Sequence, residues 1–95
     1  MTSDISLKSV MYKNPKVVGQ IVEQEVVLIL LEKNQVKVLN EVGSRIWELV
    51  DGERTIADIA CEICNEFEVT LEQAREDALV FLDELLFKGI VSLSD

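Results

Sequence analysis

The spacing of apolar residues changes along this chain, and each change predicts an element. Lys16 to Glu23 reads as a strand, entered by the turn signal Asn14-Pro15, with Gly19 marking a bulge or a close approach. Glu25 to Glu32 is a run of Val, Ile and Leu bounded by charges. It lacks alternation, which predicts a central strand covered on both faces. Lys33-Asn34 has the length of a two-residue hairpin loop, and Asn tolerates positive φ. Gln35 to Leu39 alternates, with Val36 and Val38 on one face and Lys37 and Leu39 on the other. Hairpin pairing puts the second strand in the middle and leaves the third at an edge.

After Leu39 the period lengthens to that of a helix. Asn40 is a good N-cap, and Val42, Ile46, Leu49 and Val50 share one face of a helix over about Glu41 to Val50. Asp51-Gly52 ends it, Gly52 being able to take the left-handed conformation. A second helix starts at Thr55, with Asp58 in capping-box position, and gathers Ile56, Ile59, Ala60, Ile63 and Phe67 on one face. A third runs from Thr70, with Gln73 completing a second box, to Lys88, where Gly89 stops it. Its core stripe is Leu71, Ala74, Ala78, Phe81, Leu82 and Leu85. Leu79 and Leu86 lie on one shoulder, Val80 and Phe87 near the opposite side. Ile90-Val91 reads as a short terminal extension. The expectation is an α+β chain, with a weakly ordered segment over 1–14 and one domain over 15–95.

Charge changes this picture by halves. Residues 1–40 carry net +1 and residues 41–95 carry −10, so the helical half repels a phosphate backbone. The longest apolar run, Val26 to Leu31, is too short to span a bilayer. Met1-Thr2-Ser3-Asp4 lacks the basic start of a signal peptide, which predicts a cytoplasmic protein. There is no His, which removes the commonest general base and metal ligand, and no phosphate-cradling Gly motif. Cys61 and Cys64 have redox or metal spacing, but they sit inside a helix without a second ligand pair. They read as reduced structural cysteines. No enzyme, cofactor or metal site is expected. The single Trp47 is expected in the core or at its edge.

The stretch Leu39-Asn40-x-x-Gly43-x-x-Ile46-Trp47-x-Leu49-x-Asp51-Gly52 resembles the PqqD-like family. That family contains the pyrroloquinoline-quinone (PQQ) synthesis protein D and relatives that recognise the leaders of ribosomally made, post-translationally modified precursor peptides (RiPPs). The resemblance implies a winged-helix-like fold, with a three-stranded antiparallel sheet followed by three helices. It also implies a leader-binding groove between the third strand and the third helix. The residues falling there are Val36, Lys37, Val38 and Leu39 from the strand, with Leu79, Leu82 and Leu86 from the helix. The implied role is that of a precursor-peptide chaperone. The bound peptide would be presented to a maturation enzyme such as a radical-SAM protein or a leader peptidase, as in PQQ or related pathways. Independently, an edge strand offers unpaired N–H and C=O groups to an added strand. Two other readings stand beside this one. A winged-helix DNA-binding regulator would use a third helix carrying Glu72, Arg75, Glu76, Asp77, Asp83, Glu84 and Lys88, a poor surface for DNA. A structural homodimer would pair through Val80 and Phe87, which the residues alone leave between a dimer contact, a groove wall and cover by 1–14.

Overall fold

The computed structural model describes residues 5–93. The signal-peptide reading at Met1-Thr2-Ser3-Asp4 lies outside the described residues. The strands are β1 (Met11–Lys13), β2 (Val17–Val22), β3 (Glu25–Leu30), β4 (Gln35–Val38) and β5 (Val91–Leu93). The helices are α1 (Glu41–Leu49), α2 (Ile56–Glu66) and α3 (Leu71–Phe87). This is the expected α+β, winged-helix-like order, a three-stranded antiparallel sheet followed by three helices.

The sheet runs β2-β3-β4, so β3 is central and β4 is an edge, as β2 is. The β2–β3 hairpin closes through Glu23-Gln24, both at positive φ, 50° and 73°. That is the twist-matched geometry of a two-residue hairpin, reached here without glycine. The next connection is longer than the two residues expected. The chain makes a 3-10 turn over Leu31–Lys33 before Asn34 takes φ 53°, because the last strand pair is Leu30 with Gln35. Gly19 is no bulge: pairing continues through it opposite Leu28. Its reason is a close approach, since a Cβ there would stand 3.0 Å from Trp47 Nε1.

One cluster of buried apolar residues fills the space between the sheet and the helices. Val26, Leu28 and Leu30 of β3 are buried in it, whereas Val27 and Ile29 are only half-buried on the other face. β3 is therefore covered fully on one face, not on both. Trp47 is buried at 6% exposure, with Lys13 Nζ 4.9 Å from its ring centroid. Ser44, a buried polar residue of α1, ties helix to sheet. Its hydroxyl accepts from Val26 N–H at 2.8 Å and donates to Leu39 C=O at 3.2 Å.

The helix starts follow their caps. Asn40 accepts from Gly43 N–H, and Thr55 and Asp58 form a reciprocal capping box. At α3 the box is half-made: Thr70 accepts from Gln73 N–H, but the Gln73 side chain donates forward to Asp77. α1 ends at Leu49, one residue before the predicted end, with Val50 extended. Gly52 takes φ 79° two residues later, and its N–H donates to Met11 C=O.

The larger departure is near both ends of the described residues; of the segment 1–14 expected to be weakly ordered, the first four positions lie outside them. Residues 5–13 are held rather than loose: Leu7 and Ser9 accept from Ala57 and Ile56 N–H, and β1 pairs with β5, Met11 opposite Leu93. Ile90-Val91 thus leads into a strand. Short strands with partners some 80 residues away leave little local periodicity to read.

Candidate functional site

The site is built on the free edge of β4. Leu39 N–H donates to Val26 C=O at 2.9 Å, which fixes the phase of the antiparallel ladder. Leu39, Lys37 and Gln35 therefore bond towards β3, while the N–H and C=O of Val36 and Val38 point away from the sheet. The Val36 and Val38 side chains are 65% and 62% exposed. Lys37 and Leu39 face the helices, Leu39 buried and Lys37 half-buried.

Two recesses flank this edge. One, of about 360 Å³, has Leu39, Val42 and Ile46 in its floor, with Asp77 and Phe81 of α3 opposite Lys37 and Val38. The other, of about 320 Å³, lies between Gln35, Val36 and Lys37 on one side and Lys88 and Ile90 on the other, with Leu30 beneath. Lys37 belongs to both and bridges to α3: its Nζ is 2.9 Å from Glu84 Oε2. Lys88 Nζ reaches the same oxygen at 3.2 Å, and Lys33 Nζ donates to Lys88 C=O at 2.9 Å. Hydrogen bonding to Glu84 raises the Lys37 pKa above its ordinary value, and the contacts from Lys37 and then Lys88 hold the Glu84 carboxyl below its own.

The Leu39-to-Gly43 part of the motif now has a local cause. Leu39 lies in the floor of the larger recess, Asn40 caps α1, and a Cβ at Gly43 would stand 3.2 Å from two carbons of the Phe81 ring. Gly43 thus lets Phe81 lie against the first turn of α1.

Val36, Lys37, Val38 and Leu39 all line the recesses. Leu79, Leu82 and Leu86 are not among the lining residues. Leu82 is fully buried in the core, and Leu86 is half-buried against it. Leu79 lines a separate hollow of about 220 Å³ with Ile5, Val80 and Asp83. The α3 residues facing β4 are instead Asp77, Phe81, Glu84 and Lys88, a stripe at helical spacing. Apolar periodicity does not disclose this stripe, because three of its four members are charged. Its signal is Lys37 itself, an inward-facing cation on a strand, which favours an acidic partner across the groove. Val80 and Phe87 are 65% and 87% exposed, so residues 5–14 leave them open.

Cys61 is exposed and Cys64 half-buried, its Sγ 3.5 Å from Val69 C=O. Among the described residues no three His, Cys, Asp or Glu side chains gather as a metal site, and no helix is long and apolar enough to cross a membrane.

Two solved structures superpose with a TM-score of 0.77 each. "TbiB1 in Complex with the TbiA(beta) Leader Peptide" is 31% identical and is matched over 84% of this chain and 93% of its own. "Lasso peptide synthetase B1 complexed with the leader peptide" is 20% identical, over 85% and 95%, a likeness of fold. No curated protein matches. The family described as Coenzyme PQQ synthesis protein D (PqqD) matches residues 25–91, a span that holds β3, β4, all three helices and both recesses. The chain belongs to the PqqD family.

Proposed function

We propose that this chain is a peptide-binding chaperone of RiPP biosynthesis, taking a precursor leader as an added strand on β4 without making or breaking bonds in it. The observation that carries this reading is the pair of outward-facing backbone units at Val36 and Val38, set beside two side-chain recesses. Main-chain bonds to those units supply affinity for any extended segment, and the recesses supply selectivity. Two similar structures are described as complexes with leader peptides, which supports a leader as the ligand here. The captured peptide is then presented, in the cytoplasm, to a maturation enzyme of radical-SAM or leader-peptidase type. In that partnership this chain contributes effective concentration rather than chemistry. The acidic α3 argues against a DNA-binding role.

The test is a titration with the leader of its cognate precursor peptide, followed by amide exchange. Micromolar affinity, about −8 kcal/mol, is expected for a short strand with a few buried side chains. Val36 and Val38 amides gain protection on binding, since only they face outward on β4. Absence of binding at high micromolar peptide, or protection confined to β2, refutes the reading.

A further inference from the structure

The groove does not carry the charge of the molecule around it. The chain has net charge −9, yet Lys37 and Lys88 line the same recess at one end of the groove, with Lys33 held at the Lys88 carbonyl behind it. Glu84 is the one carboxylate bridging Lys37 and Lys88, so this end keeps an excess of positive charge. The other recess is different in kind. Its floor is apolar, and its one carboxylate, Asp77, is held by Gln73.

We propose that the leader taken by this groove carries an acidic side chain two or four residues from an apolar anchor. The apolar side chain fills the recess floored by Leu39, Val42 and Ile46. The carboxylate enters the recess between Lys37 and Lys88. The inference rests on strand addition at β4 and adds to it a sequence requirement on the ligand. An added strand turns every second side chain towards the groove, at about 6.6 Å intervals. The recesses lie on either side of Lys37, one reaching Gln35 and the other Leu39, so their occupants belong two or four positions apart. Asp77 gives the arrangement direction, since it repels a carboxylate from the apolar recess. The incoming carboxylate shares Lys37 and Lys88 with Glu84, forming charge-assisted bonds without removing either lysine from an acidic partner.

Random dodecapeptides displayed on phage and selected on the purified protein test this directly. Selected sequences should carry Asp or Glu two or four positions from Leu, Ile, Val, Phe or Tyr. Replacing that acid by its amide in a synthetic consensus peptide should weaken binding about tenfold. The same replacement should cost less than twofold in Lys88→Gln, a surface change that keeps the fold. Selection on a Lys37→Glu, Lys88→Glu variant, verified as folded by circular dichroism, should enrich Lys or Arg at the acidic position instead. Binders without the acid, or an acid whose loss costs the same in wild type and Lys88→Gln, overturn the proposal while leaving strand addition intact. Failure of the folded wild type to enrich any peptide overturns both.

Discussion

At the scale of single residues, Ser44 and Glu84 make the clearest predictions. Ser44 is the partner of Val26 N–H at the point where β3, β4 and α1 meet. Ser44→Ala leaves that buried donor without its acceptor, so unfolding stability should fall by about 1–3 kcal/mol, read from denaturant melts. Glu84 is held below 4.5 by Lys37 and Lys88, and Asp51 is held below 3.8 by the backbone N–H groups of Arg54 and Glu53. A lowered carboxyl pKa stabilises the fold fully above the ordinary value, and that contribution is lost as pH falls through the folded one. Melting temperature should therefore drop on acidification below about pH 4.5. In a carbon-detected titration Glu84 should have its midpoint below 4.5 in the wild type, and Lys37→Met should move it upward. An unmoved midpoint in the folded variant would mean that Lys37 does not hold Glu84 in solution.

At the scale of elements, α3 has two working faces, and substitutions should separate them. Leu82→Ala opens a cavity in the core and should cost about 2–5 kcal/mol of stability. Phe81→Ala removes a recess wall and should weaken leader binding by about 1–3 kcal/mol, measured by calorimetry. Leu86→Ser should lower the melting temperature and keep affinity within about twofold, because Leu86 packs on the core and does not line a recess. A folded Leu86→Ser with much weaker binding would return that shoulder to the site. These contrasts also measure what the sequence could disclose. Caps at Asn40, Thr55 and Thr70 and the alternation of β4 are local signals, and the elements they predict are where they should be. In the candidate groove, the β4 lining was legible for the same reason. The α3 lining was not, since a helical wheel ranks positions by hydrophobicity. Asp77, Glu84 and Lys88 earn their place only through a residue some forty to fifty positions earlier, Lys37.

At the scale of the molecule, charge is sorted by position: acidic residues dominate the helical half, and two lysines, Lys37 and Lys88, line one end of the groove. Leader affinity should weaken as salt rises from about 50 to 500 mM, by an amount larger for acidic than for neutral peptides. The pairing of β1 with β5 has a separate consequence. Met11 and Leu93 lie side by side, so the backbone from β1 to β5 forms a nearly closed ring. Such a ring tolerates a new opening elsewhere. A circular permutant whose flexible linker runs from β5 to the segment ahead of β1, keeping residues 5–10, and which is cut at Glu23-Gln24, where both residues now hold positive φ, should fold with its recesses intact. The same adjacency suits the fold to life as an insert. Spliced into a surface loop of a larger enzyme, it would leave and re-enter its host at neighbouring points, with the β4 edge still open to a passing peptide.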